Sequence, residues 1–135
     1  MVSHSELAKL FSDGAEKGTG SRMFIEGDTI YSYGHHFPIA KRTEWGYLFN
    51  SDGYSSSTSA HKGYVETAIS GVVVHIMNCD IAYADKQIAY NEKEIEELRG
   101  KIQRARKDGI KEAYKERIEW LKEQNKLLKK YGGKK

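Results

Sequence analysis

The first 77 residues show a short-period pattern of hydrophobic and polar positions that predicts a small antiparallel sheet. Runs rich in aromatic and β-branched residues are separated by turn signals such as Gly27-Asp28, where glycine can adopt the positive φ of a two-residue hairpin. Five strands are predicted, at residues 23–26, 29–33, 37–43, 46–50 and 54–57. The apolar run at residues 71–77 fits either a buried strand or a continued helix, and a strand is preferred.

Two helices are predicted to accompany this sheet. Ser3 and Glu6 have the spacing of a capping box, so a first helix is expected over residues 3–12. A second helix is expected to be capped by Ser57 or Ser59 and to end near residue 70. Its apolar stripe would cover one face of the sheet.

The segment at residues 12–21 is predicted to be a loop, because it is rich in glycine and short polar side chains. Residues 18–22 invite comparison with a phosphate-binding loop. They lack the GxxxxGK[ST] spacing and the preceding apolar strand of such a loop, so a connector is predicted instead.

From Asn78 onward the hydrophobic pattern changes to a seven-residue repeat that is typical of a coiled-coil seam. The repeating positions are Ile81, Ile88, Ile95 and Ile102. A turn is expected at residues 107–109, before a second apolar stripe that includes Leu121 and Leu128. The pattern favours an antiparallel helical hairpin.

A single long helix that pairs with a second chain is the other interpretation of this repeat. It is supported by Asn91, because one buried asparagine at a seam position is a known device for fixing coiled-coil partners. A helix with this much apolar surface must bury it, so self-association through residues 78–130 is expected.

Together these patterns predict an α+β fold. An antiparallel sheet of four to five strands with a packed helix would form a domain at residues 1–77. A long helical hairpin or coiled coil with a basic tail would form the extension at residues 78–135.

The charge of the chain is unevenly distributed, although its net value is only +3. Residues 1–77 carry 6 Lys/Arg and 8 Asp/Glu, whereas residues 78–135 carry 16 and 11. The basic excess therefore belongs to the C-terminal segment. Its terminal lysines fit either a phosphate-binding tail or a solvated helix end, where lysine interacts favourably with the helix dipole.

Composition also indicates which cellular compartment and which cofactors to expect. Cys79 is the single cysteine, so no intramolecular disulfide and no zinc-binding Cys/His spacing are expected. The N-terminus lacks the basic start and apolar run of a signal peptide, and no apolar stretch approaches the ~20 residues of a membrane span. A cytoplasmic protein without membrane contact, metal or cofactor is expected.

Candidate chemistry is concentrated at residues 31–38 and 54–61, which are rich in His, Tyr, Ser and Thr. One hypothesis is catalytic: two imidazoles, those of His36 and His61, can act as base and acid in phosphodiester transfer without metal. On a strand, Tyr31 and Tyr33 would share one face beside them. A metal site is disfavoured, because adjacent histidines on a strand point to opposite faces.

A second hypothesis treats the same residues as a recognition surface. Tyrosines supply rigid contact area and serines supply adaptable hydrogen bonds, while Lys41 and Arg42 would follow the phosphates of a nucleic acid. Trp45, at an expected loop tip, would be an anchor. The candidate binding residues are Tyr31, Tyr33, His35, Lys41, Arg42, Trp45, Tyr54, Ser57 and Thr58. A purely structural role is the third possibility, with His and Tyr bonded to turn backbones and serines capping the second helix.

The motifs at residues 31–34, 36–40, 54–55, 57–59 and 61 resemble a group of small uncharacterised proteins encoded by phages and other mobile elements. The resemblance implies an accessory protein that acts by binding, and one role of this kind is anti-CRISPR inhibition of a host nucleic-acid-targeting defence. The expected partner is a host protein, nucleoprotein or nucleic acid. The alternative is a metal-independent phosphodiesterase or nucleotide-processing enzyme that uses His36 and His61.

Overall fold

The computed structural model describes residues 2–35, 37–52 and 56–132, and at residues 56–58 it describes the backbone alone. The chain divides into two units, residues 1–80 and 81–135. In the first unit the elements are α1 (His4–Ser12), β1 (Lys17–Thr19), β2 (Met23–Glu26), β3 (Thr29–Ser32), β4 (Pro38–Arg42), β5 (Tyr47–Asn50), α2 (Ser56–Ala68) and β6 (Val73–Ile76). The predicted α+β class is confirmed.

The six strands form one sheet in the order β1-β2-β3-β4-β5-β6. Neighbouring strands are antiparallel except β5 and β6, which are parallel. This differs from the predicted antiparallel sheet, because α2 lies between β5 and β6 in the chain and forms a crossover connection. The preferred strand at residues 71–77 is confirmed as β6.

Two sequence predictions fail in this unit. The segment predicted to be a loop contains β1, in which a Cβ on Gly18 would lie 2.8 Å from the Leu7 side chain. A small residue is therefore needed where α1 crosses β1. The strand predicted at residues 54–57 falls partly on residues 53–55, outside the described ranges, while residues 56 and 57 already belong to α2.

The core of the first unit lies between one face of the sheet and the helices α1 and α2. Ser3 caps α1 as predicted, since its Oγ accepts from the backbone N–H of Glu6 at 3.2 Å. A register shift opposite Ile30 and Tyr31 is a β-bulge, and it turns both Ile39 and Ala40 toward the core. The buried residues of this core include Leu7, Phe11, Met23, Ile25, Ile30, Phe49, Val65 and Ile69.

The second unit contains two long helices, α3 (Ala84–Arg104) and α4 (Asp108–Gly132), which pack together as the predicted hairpin. Ile95 and Leu98 of α3 pack against Ile118 and Leu121 of α4. The apolar stripe is therefore partly buried within one chain: Ile95 is buried, whereas Ile81, Ile88 and Ile102 are half-buried. Self-association through this region stays a prediction.

A layer of amides interrupts the apolar seam between α3 and α4. Gln87 Nε2 donates to Asn91 Oδ1 at 2.9 Å, and Asn91 Nδ2 donates to Asn125 Oδ1 at 2.9 Å. These side chains and that of Gln124 are buried. Because a buried amide without a partner is costly, the layer fixes the register of the two helices.

We predict that Asn91→Ala lowers the free energy of unfolding by about 1–3 kcal/mol, because the buried amide of Asn125 loses its partner. Urea denaturation of the parent, both single variants and the double Asn91→Ala/Asn125→Ala variant measures this. A coupling energy of about 0.5–3 kcal/mol is expected between the two positions. Strictly additive losses would contradict the pairing.

Candidate functional site

Three aromatic rings form a patch on the sheet face opposite α1 and α2. Phe24 and Tyr31 are cross-strand partners whose rings stack with centroids 5.0 Å apart and planes 19° apart. The His35 ring lies 5.0 Å from each of them. We call Phe24, Tyr31 and His35 the aromatic patch.

The aromatic patch is accessible because α1 and α2 pack on the other face of the sheet. Phe24 and Tyr31 are half-buried, and the His35 side chain is 67% exposed. His35 Nε2 pairs with a carboxylate oxygen of Glu26, whose side chain is also largely exposed. The patch thus presents stacked rings to solvent with one negative charge at the turn end of β2.

A second group of side chains lies on the core face, where β3 meets α2. Ser32 Oγ and His61 Nδ1 are hydrogen-bonded at 2.7 Å, and these residues are only 1% and 3% exposed. The His4 ring of α1 meets the His61 ring edge-on, with centroids 4.6 Å apart. His4 Nε2 also lies 3.1 Å from the hydroxyl of Ser21.

The rim of this second group is formed by Arg22 and Tyr33. Arg22 Nη1 donates to the Tyr33 hydroxyl at 3.5 Å, and the Tyr33 ring lies 5.5 Å from the His61 ring. The Tyr33 backbone N–H donates to the Arg22 carbonyl at 2.8 Å. We call this group the histidine cluster; its members are His4, Ser21, Arg22, Ser32, Tyr33 and His61.

The backbone of Tyr33 is strained. Its φ is +67°, and the Gly34 N–H donates to the Ser32 carbonyl at 2.8 Å, which closes a γ-turn around Tyr33. This turn ends β3 at Ser32 and brings the Tyr33 ring to His61. The prediction that Tyr31 and Tyr33 share one face is therefore wrong, because strand alternation stops one residue earlier.

The histidine cluster has an excess of basic groups. Burial lowers the pKa of His61, and the nearby His4 and Arg22 lower it further. Within the described part of the chain, no carboxylate forms an ion pair with His4, Arg22 or His61. The cluster can therefore attract an anion.

The other predicted site residues lie apart from this cluster. Arg42 donates to the carbonyls of Phe11 at 2.7 Å and Gly27 at 2.8 Å, so it ties the end of α1 to the β2–β3 turn. Lys41 is half-buried in β4, and Trp45 is half-buried in the β4–β5 connection.

Several predicted site residues cannot be placed in the cluster or the patch. His36 and Tyr54 lie outside the described residues, as do the side chains of Ser57 and Thr58. The pairing of His36 with His61 therefore stays a hypothesis. In the described part of the chain it is His4 that approaches His61.

Sequence reasoning missed Phe24 and four members of the histidine cluster: His4, Ser21, Arg22 and Ser32. A signal existed for Ser32, because alternation along β3 places it on the same face as the core residue Ile30. A polar side chain at such a position needs a buried partner. His4 and Ser21 carry no comparable signal, since only the fold brings them together.

Nucleophilic and metal chemistry find little support in the described residues. Ser32 and His61 have the separation of a nucleophile and base, but both are buried and they satisfy each other. Burial also raises the pKa of the Cys79 thiol well above its usual range, so this cysteine is unreactive. No group of three or more His, Cys, Asp or Glu side chains in the described ranges is arranged to hold a metal ion.

Comparisons with known proteins give no match to a family model, to a curated protein or to a solved structure. Among the helices of the described ranges, none combines the length and the apolar character that crossing a membrane requires.

We predict that the protein loses stability as the pH falls below about 6.5, the ordinary pKa of histidine. The lowered pKa of folded His61 means that the unfolded chain binds the proton first, so acid favours unfolding until folded His61 also titrates. Urea denaturation between pH 8 and pH 5 measures this loss. His61→Gln is expected to reduce the pH slope, and an unchanged slope would contradict the assignment.

Proposed function

We propose that the protein is a binding protein that holds single-stranded nucleic acid, free or within a nucleoprotein, on its aromatic patch. The observation that carries this proposal is the stacked pair Phe24 and Tyr31, joined by His35 on the sheet face that α1 and α2 leave uncovered. Every base has a π-face, so such a platform binds bases with little sequence preference.

The charges around the patch support weak and moderately salt-dependent binding. Lys17 and Lys41 lie in the same cross-strand row as Glu26, on the face of the patch. Arg22 lies just before β2, at the end of the strand opposite Glu26. With few cations near the rings, stacking must supply most of the affinity and counterion release the smaller part.

We also propose a biological role for this binding. The resemblance of residues 31–61 to phage and mobile-element proteins supports a role in which the protein interferes with a host defence that targets nucleic acid, of the anti-CRISPR kind. The alternative of a phosphodiesterase gains no specific support, because His61 is 3% exposed and bonded to Ser32.

Fluorescence anisotropy with labelled single- and double-stranded RNA and DNA tests the proposal. Single strands are expected to bind, and Tyr31→Ala is expected to weaken binding by about 5- to 150-fold, the loss of one stacking contact. Tyr90→Ala is the matched control, since Tyr90 is a 67% exposed tyrosine of α3.

Two outcomes would contradict the proposal: no binding of any single strand, or equal effects of Tyr31→Ala and Tyr90→Ala. Running the probes on a denaturing gel afterwards detects cleavage. Cleavage that survives a chelator would favour the phosphodiesterase instead.

A further inference from the structure

The histidine cluster adjoins one edge of the aromatic patch. Arg22 lies two residues before Phe24, just ahead of β2, and Tyr33 lies two residues after Tyr31, just past the end of β3. The patch and the cluster therefore lie on opposite faces at the same end of one strand pair. A nucleic-acid strand stacked on the patch would pass around this end of the strand pair to place its terminus at the cluster.

The cluster has the construction of an anion site, with an exposed rim above a buried polar floor. Ser21, Arg22 and Tyr33 are exposed and His4 is half-buried, so hydroxyl, guanidinium and imidazole donors face solvent. Ser32 and His61 form the floor and hold each other in place.

The two ends of the strand pair differ in charge. At one end of β2 Arg22 lacks an ion-pair partner among the described carboxylates, whereas at the other end Glu26 adds a negative charge beside His35. The two ends are about 13 Å apart along the strand. Arg22 therefore favours a phosphate at the cluster, whereas at the turn end the Glu26 carboxylate shares its cross-strand row with Lys17 and Lys41.

The strain at Tyr33 adds a separate observation. The positive φ is enforced by backbone hydrogen bonds from Tyr33 to Arg22, from Gly34 to Ser32 and from Ser32 to Phe37. Such outliers persist only where the surroundings over-determine them, and they concentrate at ligand-binding positions. Here the turn holds the Tyr33 hydroxyl beside Arg22.

We propose that the histidine cluster binds the terminal phosphomonoester of a single strand whose neighbouring bases stack on the aromatic patch. A monoester carries close to two negative charges and three acceptor oxygens, which match the guanidinium, imidazole and hydroxyl donors of the rim better than a backbone diester does. This inference rests on the proposed function, and it names the end of the nucleic acid that the protein selects.

The test compares three labelled strands of one sequence on the full-length protein: one with a 5′-phosphate, one with a 3′-phosphate and one with hydroxyls at both ends. A terminal phosphate is expected to raise the affinity at least tenfold at one of the two ends. Which phosphorylated strand gains affinity identifies the polarity of the bound chain.

Two variants locate the effect. Arg22→Gln and Tyr33→Gly are expected to bring the ratio of the two affinities, that for the phosphorylated strand over that for the hydroxyl strand, close to one. Glycine is chosen at position 33 because it tolerates the positive φ. Arg106→Gln, at an exposed arginine before α4, removes the same charge and should leave the ratio unchanged.

The outcomes separate this inference from the proposed function. Equal affinities for all three strands would overturn the phosphate site while leaving stacking on the patch intact. A phosphate preference that persists in both Arg22→Gln and Tyr33→Gly would also overturn it. Binding of the phosphorylated strand alone, insensitive to Tyr31→Ala, would contradict the proposed function but keep the phosphate site. If Tyr33→Gly fails to fold, Arg22→Gln still decides, because its side chain is exposed.

Discussion

The hydrogen bond between Ser32 and His61 is the constraint on which the arrangement of the first unit depends. Both groups are buried, and a buried polar group left without any hydrogen bond costs about 1–3 kcal/mol. The bond joins the end of β3 to α2 at 2.7 Å, and His61 in turn contacts His4 of α1. It therefore links β3, α2 and α1 at one end of the core.

Several energetically unfavourable features lie around the Ser32–His61 hydrogen bond. The buried imidazole of His61 lies next to two other basic side chains, and Tyr33, whose ring contacts that of His61, has a positive φ. Elsewhere in the unit, apolar side chains fill the core and each buried polar side-chain atom in the described residues has a partner. Asn78 and Cys79 also have a positive φ, of +59° and +52°. Several unfavourable features of burial, charge and backbone conformation at one site are typical of a functional site rather than of ordinary packing.

The structural features that could be predicted from the sequence are those that depend on residues close together in the chain. The capping box at Ser3, the hairpin turn at Gly27 and the seven-residue repeat after Asn78 each act within a few residues or along one helix. It missed β1, because a three-residue edge strand with a central glycine has no pattern of its own. It also missed the parallel pairing of β5 and β6, which follows from the path of α2.

The histidine cluster could not be predicted from the sequence either, because it depends on residues that are distant in the chain. His4, Ser32 and His61 come from three distant segments, and only the packing of α1 and α2 on the sheet brings them together. The γ-turn that moves Tyr33 away from Tyr31 is held by a long-range backbone hydrogen bond from Tyr33 to Arg22. Tyr31, Tyr33, His35 and His61 could be selected as candidates from their residue types, but their division between two faces could not.

The most direct test of this account is an NMR titration of the histidine rings in protein labelled with nitrogen-15. The account predicts that the His61 ring titrates with a midpoint below pH 6.5 and that its Nδ1 resonance shifts when Ser32 is replaced by alanine. A His61 ring that titrates at the ordinary histidine pKa of about 6.5, with no response to Ser32→Ala, would contradict it.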